Sequence, residues 1–397
     1  MSGLNEPVSF KDRVHEIDGI RGFALLGILM MNIMSFASPM MQYSIEGREN
    51  TLFTSTAADE GVIMFINTFV TANFYTMFSF LFGLGFYIFL TRANEKGHHA
   101  NRLFIRRIIL LLLFGLMHGI LLWYGDILWT YAVAGIFLLL FYKLSPKTNL
   151  ITGIVILSAG TVFTLLIAGL GSMMGDIEGT SSFRLWFDMQ ETILNGSYID
   201  VIIMNSSIMT LMLFQAFVTV PNVLAMFLIG LYAAQKGIFQ NLDAHRTLIN
   251  RTAVIGLSVG LPVKILSGYG LTYGGMDPFW SSIGILANTL GGPLMALSYI
   301  ALFIIIARKT KVFVKLLQPV GQMALTNYIS QTVIMLIIFY GFNFFNQVSP
   351  VWFIPIVISV FIFQIGFSHI WMRIFRYGPL EWLWRSFTYL KLMPIKR

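Results

Sequence analysis

Residues 102–143 read RLFIRRIILLLLFGLMHGILLWYGDILWTYAVAGIFLLLFYK. Arg102, Arg106 and Arg107 open the stretch as a basic collar. The apolar run that follows carries one histidine, His118. The chain turns at Tyr124-Gly125-Asp126, and a second apolar run returns to Lys143. Two apolar runs joined by a short polar turn read as a helical hairpin in a membrane. With residues 108–124 as the buried part, His118 lies about 15 Å along a helix rising about 1.5 Å per residue. The hydrocarbon core is about 30 Å thick, so the imidazole falls near its middle. An ionisable group is costly at that depth, and such groups mark pathways and sites.

The same patterning runs through the whole chain. Hydrophobic residues make up 56% and charged ones 11%, and mean hydropathy is +0.76. Apolar stretches longer than about 18 residues recur, each of them a candidate span. The expected fold is therefore all-α: one polytopic membrane helix bundle of about ten spans over residues 1–397. A net charge of +8 could serve nucleic acid, but the Lys and Arg residues gather at segment ends, as in cytoplasmic loops. Membrane lipids, not nucleic acid, are the expected partners. Cysteine is absent, which excludes disulfides and thiolate nucleophiles. The first apolar segment starts near Phe23 behind a polar lead and has no clear A-x-A-like site after it, so it reads as a retained helix.

Span 1 is expected at residues 18–39. Residues 61–90 are too long for one straight span, and Asn67, Thr68, Thr71 and Asn73 interrupt them. A shallow amphipathic piece and a span at 74–90 follow from that. The hairpin supplies spans 3 and 4, and span 5 covers 150–171. An extracytoplasmic insert, 172–205, carries Asp176, Glu178, Asp188, Glu191 and Asp200. Spans 6 to 10 fall at 206–235, 252–267, 281–307, 322–345 and 351–374. Pro221 lies inside span 6, and Gly291-Gly292-Pro293 is expected to break span 8. The basic, Trp-rich tail, 376–397, is expected on the inner surface. Ten spans place both termini and every basic loop on one side, which positive charge marks as cytoplasmic.

His118 is the first candidate for chemistry. Gly115 and Gly119 flank it and allow close approach, and a neutral imidazole in a dry site can act as a general base. The bland alternative is a packing histidine bonded to a neighbouring amide. Asp126 is expected about 9 Å shallower, by helix rise, as the N-cap of span 4, with Tyr131 level with His118 instead. A second group is Arg13, Asp18, Arg21 and Gly22. Asp18 and Arg21 share a helix face at i,i+3. With Arg106 and Arg107 they form a cationic inner mouth able to hold phosphate oxygens, unless they serve only topology. The third group is polar residues within spans. Gln215, Thr219 and Asn222 follow helical spacing, as do Thr326, Asn327, Ser330 and Gln331, and Asn288 stands beside the Gly-Gly-Pro. They line a substrate cavity or bond helices together. His98-His99 has no third ligand nearby, so no metal is expected.

Five stretches carry a resemblance: residues 17–33 (IDGIRGFALLGILMMNI), 78–86 (FSFLFGLGF), 111–128 (LLLFGLMHGILLWYGDIL), 321–334 (GQMALTNYISQTVI) and 376–391 (RYGPLEWLWRSFTYLK). In this order they resemble the YeiB-like family of bacterial membrane proteins, a domain of unknown function. That family is similar in turn to the transmembrane acyltransferases, through Arg13…Asp18-x-x-Arg21-Gly22. The resemblance implies a ten-helix bundle that passes an acyl group from cytoplasmic acyl-CoA to an acceptor across the membrane. Polysaccharide O-acyltransferases of that superfamily carry their histidine late in span 1, where this chain has Met30, Met31 and Asn32. His118 would take its place.

The functional expectation is a membrane acyltransferase in the bacterial cell membrane. His118 is its base, and Arg13, Asp18, Arg21, Arg106 and Arg107 hold an acyl-CoA donor. Tyr131, Gln215, Asn222, Asn288, Asn327 and Gln331 position a small-molecule or lipid-linked acceptor. A transporter or flippase of an amphipathic solute and a non-catalytic scaffold are the alternatives. A homo-oligomer is compatible with each.

Overall fold

Backbone N–H and C=O groups find no water in hydrocarbon, so an apolar chain of this kind must satisfy them within helices. The computed structural model describes residues 15–46, 50–97, 99–174, 185, 187–274 and 277–397. Within them the chain is an all-α bundle without a β-strand. Nine helical segments among the described residues are long and apolar enough to cross a membrane. The returning arm of the hairpin, α6 (Leu128–Phe141), adds a shorter one of 14 residues.

The first helix, α1 (His15–Ala37), is the bundle's axis, with Ile20, Leu25, Leu29 and Ile33 buried. A short α2 (Met40–Ile45) follows it. The expected amphipathic piece and span appear as α3 (Ala57–Phe69) and α4 (Asn73–Glu95). Between them Ala72 adopts a left-handed φ of 65°. The carbonyls freed by this break are capped from elsewhere: Tyr299 Oη donates to Phe69 O at 2.9 Å, Lys264 Nζ to Thr71 O at 2.9 Å, and Asn73 Nδ2 to Thr68 O at 3.3 Å. A buried carbonyl left bare would cost about 1–3 kcal/mol.

The first hairpin helix is α5 (Ala100–Leu121). Pairs of long apolar helices continue the bundle: α7 (Pro146–Met174), the short α8 (Met189–Asn195) and α9 (Tyr198–Gln235). The last part of the expected insert is thus helical, with Ser197 and Asp200 forming the capping box of α9. Asp176 and Glu178 lie outside the described residues. Next come α10 (Arg246–Ile255), a π-turn at Gly256–Gly260, and α11 (Leu261–Tyr273).

One expectation fails here. Helix α12 (Pro278–Lys309) runs unbroken through Gly291-Gly292-Pro293. The glycines instead admit neighbours: a Cβ on Gly292 would stand 2.9 Å from the Ala72 Cβ, and one on Gly291 2.8 Å from the Lys264 stem. The helix break belongs to α3 and α4, and α12 packs against it. The basic segment after α12 also folds, as α13 (Val312–Gln322). The remaining helices are α14 (Ala324–Leu336), which ends in a π-turn at Ile337–Gly341, α15 (Phe353–Ile374) and α16 (Pro379–Tyr389) of the tail.

Candidate functional site

Helix α5 ends at Leu121, three residues beyond His118, with Leu122 and Trp123 N–H closing on the His118 carbonyl. The turn that follows is sunk in the bundle: Trp123, Tyr124 and Asp126 are all buried. The chain therefore doubles back early, and Asp126 returns to the level of His118. Its Oδ2 lies 2.7 Å from His118 Nδ1, and its Oδ1 accepts from Trp129 N at 3.0 Å. The expected shallow position of Asp126 is thus corrected, while its bond to the start of α6 stands. Gly115 makes the approach feasible, because a Cβ there would meet Trp129 N at 2.4 Å and Asp126 Oδ1 at 2.8 Å.

The other imidazole nitrogen, Nε2, lies 2.9 Å from Thr332 Oγ1 on α14. A carboxylate at Nδ1 holds the proton on that nitrogen and leaves Nε2 to accept from the hydroxyl. The Tyr328 ring lies 5.2 Å away, centroid to centroid. His118 is 2% exposed, Asp126 5% and Thr332 1%. The ring is closed off from solvent in this conformation. Its immediate partners are nonetheless an acid and a hydroxyl rather than aliphatic packing. Sequence spacing did not disclose Thr332, since it lies 214 residues from His118.

At the inner end of α5, Arg107 is held between rings, its guanidinium carbon 4.0 Å from the Trp384 centroid and 5.1 Å from that of Phe89. Trp384 Nε1 donates to Arg107 O at 2.9 Å. The charges of Arg385 and Arg21 both act on Arg107, so three guanidiniums from α1, α5 and α16 share one region. Arg385 also lies over the rings of Tyr377 and Tyr389. Arg21 pairs with Asp18 at 3.2 Å, and Gln322 Nε2 donates to the other Asp18 oxygen at 3.4 Å. Arg106 is half-buried. Arg13 lies outside the described residues. Arg385 was legible as a basic residue in a Trp-rich tail, but nothing in the sequence placed it beside Arg107.

The tail does more than lie flat. Glu381 accepts from Leu325 N at 2.6 Å, Thr326 N at 3.1 Å and Thr326 Oγ1 at 2.6 Å, and so caps the start of α14. Burial raises its pKa above the ordinary carboxylate range, against the lowering effect of these bonds.

The polar residues within spans divide. Asn222 and Asn288 line one small cavity with Tyr75, Thr76 and Ser79. Tyr131 Oη joins that group, 2.9 Å from Ser79 Oγ and 2.7 Å from Tyr75 O. Lys264, fully buried, donates to Asn288 Oδ1 at 2.5 Å. A lone lysine in an apolar run was a visible signal that sequence reading passed over. Asn327 bonds Val320 O and Ser368 Oγ, each at 3.0 Å. Gln331 bonds Leu25 O at 3.3 Å and Gln364 Oε1 at 2.9 Å. Both tie α14 to its neighbours, on the N-terminal side of the His118 contact at Thr332. Gln215 is exposed on α9, apart from that cavity.

Residues 233–391 match the family described as a protein of unknown function, DUF418. The chain is 32% identical over 416 residues to protein YxaH of Bacillus subtilis (strain 168), across 100% of this chain and 99% of that one. It is 30% identical over 409 residues to a 39.9 kDa protein in the amylase 3' region of Bacillus acidopullulyticus, across 98% of each. Identity to protein YeiB of Escherichia coli (strain K12) is 28% over 389 residues, across 94% of this chain and 95% of that one. No solved structure matches the chain. End-to-end similarity at this level, together with the helical bundle, makes the chain a member of the YeiB-like DUF418 family of multi-pass membrane proteins.

Proposed function

We propose that this protein is a membrane-embedded acyltransferase, moving an acyl group from cytoplasmic acyl-CoA to a hydroxyl or amine acceptor at mid-membrane. The observation that carries the proposal is the buried Asp126–His118–Thr332 chain. An imidazole with a carboxylate on one nitrogen and a hydroxyl on the other is the arrangement by which a weak nucleophile is activated. Asp126 orients the ring and stabilises the imidazolium that forms, as a positioning residue. His118 Nε2 takes the proton.

The guanidiniums of Arg21, Arg107 and Arg385 supply a site for phosphate oxygens at the inner end of the same helix. Arg107 precedes His118 by eleven residues, about 16 Å of helix. An extended thioester arm spans that depth. Because the ring is closed in this conformation, turnover on this account requires the surrounding helices to open a path for the thioester to the His118–Thr332 pair. The termini face the cytoplasm on this account, in keeping with the basic loops.

A second reading is a transporter. The break at residues 70–72, with Lys264, Asn222 and Asn288 around it, resembles the interrupted helices that carry solute sites. One experiment separates the two. Purified protein is given acyl-CoA donors of increasing chain length, and free thiol is measured. Thiol release that requires Arg107 supports acyl transfer. Passage of intact solute across vesicles with no thiol release from any donor supports transport and ends the first reading.

A further inference from the structure

We infer that Thr332 is the nucleophile of this site and carries the acyl group as a threonine ester between donor and acceptor. The inference rests on the acyl-transfer reading and concerns how the group crosses from one substrate to the other.

Threonine in a membrane helix ordinarily satisfies its hydroxyl on the carbonyl four residues back. This chain does so repeatedly: Thr161 bonds Leu157 O, Thr164 bonds Gly160 O, Thr219 bonds Gln215 O and Thr289 bonds Ile285 O. Thr332 departs from that habit. Among the described residues its hydroxyl bonds only His118 Nε2, at 2.9 Å. The connectivity is that of an activated hydroxyl: base on the oxygen, carboxylate behind the base.

The hydroxyl is also held in place. Asn327 and Gln331 fix α14 to α1, α13 and α15, and Glu381 caps its first turn. Thr332 Oγ1 therefore presents one atom to Nε2 from a braced helix, where a freely diffusing acceptor would first have to be ordered.

The steps balance. Thr332 Oγ1 forms a bond to the thioester carbonyl carbon as its proton passes to His118 Nε2. The carbon–sulfur bond then breaks, and the leaving thiolate takes that proton to give free coenzyme A. In the second half, an acceptor O–H or N–H attacks the ester carbonyl and gives its proton to Nε2. The bond to Oγ1 breaks, and Oγ1 recovers a proton from the imidazolium. One imidazole serves both halves, and donor and acceptor never share the site.

The test is to incubate the purified full-length protein with acetyl-CoA or palmitoyl-CoA, without acceptor, and map any added acyl mass after digestion. One acyl group on the peptide containing Thr332 is expected, retained in Thr332→Ser. In Thr332→Val, which matches threonine in shape, the label is absent and thiol release falls about 100-fold or more. Thermal unfolding checks that both variants are folded. A Thr332→Val protein that turns over normally while His118→Asn is dead overturns the covalent step and leaves direct attack by the acceptor. A label on another residue overturns it too. No thiol release by the unaltered protein removes the acyl-transfer reading itself, and the inference with it.

Discussion

Asp126 Oδ2 and His118 Nδ1 lie 2.7 Å apart, although His118 is on the first arm of a hairpin and Asp126 is in its turn, eight positions on. The contact exists because α5 stops at Leu121 and the turn is buried, so the chain reverses within the bundle rather than at its surface. An acid, a base and a hydroxyl meet there with almost no exposure.

Asp126→Asn keeps the shape of the side chain and removes its charge. An amide presenting N–H to Nδ1 drives the proton to Nε2, which can then no longer accept from Thr332. Thiol release should fall by about 10³–10⁴-fold while the protein stays folded. Activity within about tenfold of the unaltered protein, measured at saturating donor, would place Asp126 outside the chemistry.

Two glycines on one helix should behave differently. A Cβ at Gly115 meets backbone and the Asp126 carboxylate, whereas one at Gly119 crowds the Met209 thioether end, at 2.4 Å from Sδ, and stands at an ordinary 3.5 Å from the Asp126 Cβ. Gly115→Ala must spread the hairpin and part Asp126 from His118. Gly119→Ala asks only that a flexible side chain move. Thermal unfolding and thiol release should both drop in the first and change little in the second.

Glu381 predicts a pH dependence. Burial raises its pKa, so the folded protein holds this proton more tightly than the unfolded chain. The stability it contributes is complete below the unfolded carboxylate value, about 4.3, and is lost as pH rises through the raised folded value. Glu381→Gln removes this contribution. Unfolding temperature should therefore fall less between pH 4 and neutrality in the variant than in the unaltered protein. Parallel curves would show that the cap does not titrate.

The absence of cysteine makes sidedness directly measurable. Lys147, in the first turn of α7, and Asn195, just before α9, are exposed, and α9 runs antiparallel to α7, so they lie at opposite ends of that pair. With cytoplasmic termini, an impermeant maleimide on intact cells labels Asn195→Cys and spares Lys147→Cys until the membrane is broken. The reverse pattern inverts the bundle.

Hydrophobic run length disclosed nearly every span, because lipid leaves an apolar chain little choice but helix. Charge at the run ends sets the expectation for their sidedness, through the preference of basic loops for the cytoplasm. His118 stood out because an imidazole in an apolar run is costly. What stayed hidden depended on tertiary contact. The interruption at residues 70–72 was legible from Asn67, Thr68, Thr71 and Asn73, but the break read at Gly291-Gly292-Pro293 is absent, since a glycine pair reads alike whether it breaks a helix or receives a neighbour. Asp126 was misplaced because helix rise was counted to Tyr124, past the true end of α5. Thr332 and Arg385 reach their partners only through packing of distant helices.

The most direct measurement compares thiol release from acyl-CoA by the unaltered protein and by His118→Asn, both purified, folded and reconstituted in lipid. Release by the first and a loss of at least about 10³-fold in the second is the predicted result. Equal rates in the two proteins would contradict the central claim that His118 is the base of an acyl-transfer site.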